Sequence, residues 1–267
     1  MRPLFLISND DGIDAPGIET LWETVKEIAD IVVVAPATNH SSAGANSTLY
    51  KELHAERVFK EKGIEAWKVF GTPVDCIKVG LSQFVPRRPD LIISGINNGS
   101  NHGKNVFYSG TIANTVHGSF HGIPGIAFSH MVREEGEHPP YANTRKYINP
   151  IIQHFLQNSI PEKTVISVNF PFLENCEFKG LKFAKQGSSY WNQSVEEIHS
   201  SEERKIFRHA ATWTHTDDQD QSDTVLLNQG YITITPLRVH DLTDEEFYLQ
   251  HAHKHLSGVE NLFEETP

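Results

Sequence analysis

A mostly parallel, Rossmann-like α/β sheet with helices on both faces is the fold class this sequence predicts, with a β-rich carboxyl-terminal extension. Three observations carry that expectation. Leu4-Phe5-Leu6-Ile7, Ile31-Val32-Val33-Val34-Ala35 and Leu91-Ile92-Ile93 are short, continuously apolar runs, as expected of strands covered on both faces. A stretch of helical period separates the first two, and each run exits into turn-forming polar residues.

The first strand ends in Ser8-Asn9-Asp10-Asp11-Gly12. Neighbouring side chains on a strand point to opposite faces, so Asp10 and Asp11 can converge only if the backbone has turned there, a bend that Asn9 and Gly12 tolerate. Pro16-Gly17-Ile18 opens a stretch with Ile18, Leu21, Trp22, Val25 and Ile28 near the helical period, and Ile31–Ala35 completes a βαβ unit. Right-handed crossovers place such strands parallel, with their carboxyl ends on one edge, where open α/β sheets bind ligands.

Pro36 to Thr48 is rich in Ser, Ala, Asn and Gly and reads as a loop beside the two acids. After Val69-Phe70, Gly71-Thr72-Pro73-Val74-Asp75 has the grammar of a capped helix start, with Thr72 as the N-cap and Asp75 three residues on. Asp90-Leu91-Ile92-Ile93-Ser94-Gly95-Ile96 is a buried strand that exits through Asn97-Asn98-Gly99-Ser100-Asn101. Ser109-Gly110-Thr111 begins a helix whose exposed N–H groups and dipole favour an anion. Ile126 to Ser129 is a strand, residues 142–158 a helix, and Thr164 to Val168 a strand.

Beyond about residue 170 the alternation fades. Lys182-Phe183-Ala184 and Tyr231-Ile232-Thr233-Ile234-Thr235 read as strands, the second with the period-two pattern of a half-exposed antiparallel ribbon. The domain expectation is a Rossmann-like core over 1–180 and an extension over 181–267, with a hairpin and a terminal helix. The acidic run Thr216 to Asp223 reads as a solvated loop. His251, His253 and His255 alternate, but on a helix only His251 and His255 share a face, which argues against zinc.

The net charge of -11 over 267 residues argues against a nucleic-acid surface. It is compatible with a phosphate substrate, because exposed charges are screened over about 8 Å at physiological salt. Cys76 and Cys176, the only cysteines, supply neither a disulfide framework nor a thiolate metal site. The opening residues meet polar and acidic side chains too early for a signal peptide, and no apolar run is long enough for a bilayer, so a soluble cytoplasmic protein without membrane partners is expected.

Assembled on one rim, Asp10 and Asp11, Ser41 or Ser42, Asn97 and the helix start at Ser109 form an oxygen-only constellation. Such donors suit a hard divalent cation. Two carboxylates balance its charge, and neutral oxygens fill further positions without repelling an incoming phosphate. The cation can polarise a phosphoryl oxygen and acidify a bound water, which describes a metal-assisted phosphomonoester hydrolase. A receiver domain would need a further Asp at a later strand end and a Lys, where this chain has Asn97 and no Lys in Ile126-Ala127-Phe128-Ser129-His130. A dehalogenase-type phosphatase separates its acids by one residue. A scaffold with a vestigial site is the remaining alternative.

The runs Ser8 to Ile18, Val34-Ala35-Pro36, Gly71 to Cys76, Ser94 to Gly99 and Tyr108-Ser109-Gly110-Thr111 resemble the SurE family in order, and Gly230 to Leu237 resembles its late strand. The resemblance implies a SurE-like fold and a nucleotidase that removes phosphate from nucleoside 5′- or 3′-monophosphates. It implies one divalent cation per subunit, Mg2+ or Mn2+, on Asp10, Asp11, Ser41 and Asn97. It also implies a homodimer or homotetramer with exchanged carboxyl-terminal segments. Asn98 and residues 42–46 depart from the family pattern, which bears on substrate preference. Phosphate contacts are expected at Asn101, Ser109, Gly110 and Thr111, with Asp10 orienting or deprotonating the attacking water.

Overall fold

The computed structural model describes residues 2–250 apart from 62, 134–136, 138, 140, 174–177, 215, 217 and 218. Cys176, the three alternating histidines, part of the acidic run and the end of the expected terminal helix lie outside the described residues. Residues 245–250 are helical.

The apolar runs form β1 (Leu4–Ser8), β2 (Asp30–Pro36) and, after the edge hairpin β3 (Ala55–Glu61) and β4 (Ile64–Val69), β5 (Leu91–Asn98). Then come β6 (Gly125–His130), β7 (Thr164–Phe170), the short β8 (Leu181–Phe183), the hairpin β9 (Tyr190–Ser200) and β10 (Lys205–Thr214), and β11 (Ile232–Arg238). Nine strands share one sheet in the order β3-β4-β2-β1-β5-β6-β7-β11-β8, and β9 pairs with β10 separately. From β4 to β7 every neighbouring pair is parallel, while β3 runs antiparallel to β4, and β11 antiparallel to β7 and parallel to β8.

Strand pleating divides the core into two faces. Phe5, Ile7, Ile31 and Val33 point to the side covered by helices α1 (Pro16–Val25) and α4 (Ala142–Gln157), where they meet Ile18, Leu21, Ile148 and Ile152. Leu4, Leu6, Val32 and Val34 point the other way, against Cys76 and Ile77 of α2 (Pro73–Val79). Ile112 of α3 (Gly110–Phe120) covers Ala127 and Val165 on that second side. Full burial of each such side chain contributes about 1.5–3 kcal/mol, and this double covering is why the strands read as unbroken apolar runs.

One correction concerns β11. The sequence suggests a half-exposed ribbon, yet Ile232 to Thr235 are all buried and β11 lies in the main sheet beside β7. Its alternating threonines face not water but polar residues of β7, Thr233 opposite Asn169 and Thr235 opposite Ser167.

The approach of α1 to β5 depends on Gly17. A Cβ there would stand 2.0 Å from the Ile96 carbonyl oxygen, so the helix could not keep its seat. Gly17→Ala is expected to lower stability by about 3 kcal/mol through overpacking, seen as a lower urea midpoint. An unchanged midpoint would contradict this contact.

Candidate active site

Asp10 and Asp11 follow β1 in a turn fixed by Asn9, whose Nδ2 donates to the Gly12 carbonyl at 2.8 Å while its Oδ1 accepts from the Gly12 N–H at 3.2 Å. Beneath the turn, buried Asn114 of α3 donates to the Asn9 carbonyl at 3.2 Å and to Ser94 Oγ at 3.1 Å, tying β1, β5 and α3 together. The backbone that carries the acids is therefore held from three elements.

Asp10 is buried against the amino end of α3. The Thr111 hydroxyl donates to its Oδ1, and a Cβ on Gly110 would stand 2.8 Å from Asp10 Cβ. Burial pushes the Asp10 carboxyl up to about 7, the charge of Asp11 adds to the rise, and hydrogen bonds from the Thr111 hydroxyl and main chain act in the opposite sense. Asp11 lies on the other side of the turn, where its Oδ2 accepts from the Asn98 N–H at 3.0 Å. Burial, and after it the charge of Asp11, push the Tyr141 phenol well above its usual range.

The parallel register of β5 and β6 shifts between Ser94 and Asn97, an irregularity that re-aims the strand end. Asn97 thus sits directly before the residue that bonds Asp11, and its Nδ2 donates to the Gly99 carbonyl at 2.7 Å, a bond that engages the amide nitrogen and not the amide oxygen. The loop after β2 reaches the same place through a bond from the His40 N–H to the Asp10 carbonyl at 2.8 Å. Ser41 is next in the chain, exposed, with its hydroxyl proton given to Asn39 Oδ1 at 2.6 Å.

That loop is anchored at its far end by Asp75. The predicted capping box of α2 is present, with Asp75 accepting from the Thr72 N–H at 2.9 Å and donating its own N–H to Thr72 Oγ1 at 3.2 Å. The same carboxylate accepts from the Thr48 N–H at 2.9 Å and from Ser47 Oγ at 3.2 Å. Burial works to raise its pKa, and the bonds from Thr48 and Thr72 outweigh it, so the carboxyl rests below its ordinary value.

Of the expected phosphate contacts, Ser109 is the N-cap of α3, its Oγ accepting from the Ile112 N–H at 3.1 Å. Gly110 begins the helix against Asp10. Thr111 is fully buried and directed at Asp10. Asn101 lies further along the rim, 7% exposed, in a network with Ser129 and Asn169. The segment after it is clamped by the carboxyl-terminal third: buried Asp223 accepts from the Gly103 N–H at 3.1 Å and the Gly187 N–H at 2.8 Å, and Lys104 N–H bonds the Ser189 carbonyl at 2.9 Å. Asp223 and Asn169 were not singled out by sequence reasoning. For Asn169 a signal existed, an amide inside the apolar strand Thr164–Phe170; Asp223 closes the run read from sequence as a solvated loop, and the structure corrects that reading, since Asp223 is buried and begins a short helix.

Fold and site together define an α/β protein with a doubly acidic, oxygen-lined centre at the carboxyl rim of a parallel sheet. The family model described as Survival protein SurE matches residues 5–193, and the chain belongs to the SurE family. It is 38% identical to the 5′-nucleotidase SurE of Protochlamydia amoebophila over 93% of this chain and 95% of that one. It is 36% identical to the 5′-nucleotidase SurE of Christiangramia forsetii, over 92% and 94%. The crystal structure of the SurE protein from Aquifex aeolicus superposes with a TM-score of 0.80 at 32% identity, covering 95% of this chain and all of that one.

Proposed function

We propose that the protein is a divalent-cation-dependent phosphomonoester hydrolase that converts nucleoside 5′-monophosphates, and 3′-monophosphates as a second class, to nucleoside and phosphate. The observation that carries the reading is the donor chemistry of the rim. Asn97 and Ser41 each spend a hydrogen on a neighbouring carbonyl oxygen, and each retains an oxygen. Asp10 and Asp11 bring two carboxylates, which accept from the Thr111 hydroxyl and the Asn98 N–H and carry the negative charge that a cation neutralises. Four residues on adjoining turns thus offer oxygens only, the set that a hard cation such as Mg2+ or Mn2+ requires. A bound cation would offset both the burial of the Asp10 carboxylate and its repulsion from Asp11.

Bound there, the cation would act as a Lewis acid toward the phosphoryl group. The chain's own residues do the rest. Asp10, fixed by Thr111, orients or deprotonates the attacking water. Ser109 and the Gly110 N–H hold phosphoryl oxygens at the amino end of α3, where the dipole favours negative charge, and Asn101 contributes its amide. Thr111, expected from sequence on the phosphate, is assigned instead to holding Asp10. A cavity of about 320 Å³ bordered by Asp11, Thr38, Asn39, Asn98 and Tyr141 adjoins the acids and has room for part of the nucleoside. The names of the curated relatives support the nucleotide as substrate.

Assembly into dimers or tetramers through exchanged carboxyl-terminal segments belongs to the same proposal. Its support is the β9–β10 hairpin, which stands apart from the main sheet and exposes Trp191, Val195, Ile198 and Phe207. A cytoplasmic site of action belongs to the same proposal; among the described residues no helix is long and apolar enough to cross a membrane.

Hydrolysis of a panel of 5′- and 3′-nucleotides with Mg2+ or Mn2+, repeated in excess chelator, tests the reading. Phosphate release that stops in chelator and returns with metal is expected. Full activity in chelator would overturn metal dependence, and no release from any monophosphate would overturn the nucleotidase reading.

A further inference from the structure

Asn169 lies near the end of β7, wholly buried, in a strand that is otherwise apolar apart from Thr164 and Ser167. Burying an amide is costly unless its hydrogen bonds are made, and two of the three that Asn169 makes go to one residue. Its Oδ1 accepts from the Asn101 N–H at 2.7 Å, and its Nδ2 donates to the Asn101 carbonyl at 3.2 Å and to Ser167 Oγ at 3.2 Å. One side chain therefore satisfies both main-chain groups of Asn101, as a neighbouring strand would do.

The Asn101 side chain is set in turn. Its Nδ2 donates to Ser129 Oγ at 2.9 Å, and Ser129, at the end of β6, is also wholly buried. Primary amides carry two hydrogens, so this bond fixes the amide plane and leaves the second hydrogen for another acceptor. The main chain of Asn101 is thus placed by β7 and its side chain by β6, two strands that end on the catalytic rim. Buried, mutually satisfied polar groups of this kind are rigid, and rigidity is what a group aimed at a developing charge needs.

We infer that Asn169 and Ser129 are positioning residues, which hold the Asn101 amide in the orientation that donates a hydrogen to a phosphoryl oxygen. The inference rests on the phosphate-site reading above, and it assigns to the two strands a role besides packing. Asn169 acts through the backbone of Asn101 and Ser129 through its amide, so both effects vanish when the Asn101 side chain is removed.

The test uses the full chain loaded with Mn2+, and the variants Asn101→Ala, Ser129→Ala, Asn169→Ala and Asn101→Ala/Asn169→Ala. Affinity for inorganic phosphate is read by calorimetry and nucleotide hydrolysis by kcat and KM, with Mn2+ affinity and the urea midpoint as controls. Each single variant is expected to weaken phosphate binding and lower kcat/KM by about 10- to 100-fold, the size of a small misplacement, with Mn2+ affinity unchanged. In the Asn101→Ala background, Asn169→Ala is expected to lower the urea midpoint but to change neither phosphate affinity nor kcat further. Ser129→Ala, which leaves the smaller hole, keeps the proposal testable if Asn169→Ala fails to fold. Additive losses in the double variant, or unaltered phosphate affinity in Ser129→Ala, would overturn the inference, as would absence of phosphate binding by the parent protein. A parent that binds phosphate but hydrolyses no nucleotide would sink the nucleotidase reading alone, and the positioning roles would then stand or fall on the phosphate affinities.

Discussion

Replacement of Asp10 by asparagine is expected to reduce nucleotide hydrolysis by at least about 10³-fold, equivalent to about 4 kcal/mol at the transition state, and at the same time to stabilise the metal-free protein at pH 8. The two effects share one cause. Asp10 is buried beside Asp11 with its carboxyl pushed up to about 7, so without a cation its ionised form is unfavourable in the fold. Asparagine keeps the shape and removes the charge, which gives a stability gain of about 2 kcal/mol from a shift of this size once the weaker bonds from Thr111 to a neutral amide are counted. The sign with pH follows. A carboxyl whose folded pKa lies above its unfolded value adds stability below about pH 4, and that contribution is lost as pH rises through 7. Metal-free wild type should therefore soften between pH 4 and 7 more than Asp10→Asn does, in urea titrations across that range. Equal slopes, or substantial activity in Asp10→Asn, would contradict the assignment.

The second large effect is expected at Gly110. Glycine to alanine at the first turn of a helix ordinarily gains about 0.4–1 kcal/mol through the unfolded chain. Here the added methyl would lie 2.8 Å from Asp10 Cβ, 3.0 Å from its Oδ2 and 3.1 Å from Pro73 Cγ, and Asp10 is held by Thr111 with no space to yield. The clash wins, with a net loss of about 1–3 kcal/mol of stability and about 10²-fold in kcat/KM as the carboxylate moves away from its partners. Steady-state kinetics beside a urea titration checks both, and a fully active, more stable Gly110→Ala would show that the helix does not press on Asp10.

Much of this was legible before the fold was seen because the informative residues obey local rules. Strands β1, β2 and β5 announce themselves as apolar runs since both faces are covered. The Thr72–Asp75 capping box follows from spacing alone, and so does the turn at Asn9 and Gly12. Legibility failed where tertiary context sets the meaning of a pattern. The threonines of β11 alternate as on a wet surface, but their polar side meets Ser167 and Asn169 inside the sheet. Strand β3, Ala-Glu-Arg-Val-Phe-Lys-Glu, is a charged edge strand with little apolar signal, as edges often are. The hairpin β9–β10 exposes most of its residues, so its strands lack the alternation that a covered face imposes. At the site, Asp10, Asp11, Asn97 and Ser109 stood out because strand ends and helix starts are readable. Asn101 and Thr111 were placed on the rim, but their partners Asn169 and Asp10 come from 68 and 101 residues away, a relation that no local rule contains.

The most direct measurement is a titration of the metal-free protein with Mn2+, followed by the electron-paramagnetic signal of the free ion, for wild type and for Asp10→Asn, Asn97→Ala and Ser41→Ala. One tight ion per chain in wild type, weakened at least about tenfold in each variant and weakened in wild type as pH falls below 7, is the expected result. Binding that is absent in wild type, or indifferent to all three substitutions, would contradict a cation held between the turns after β1, β2 and β5.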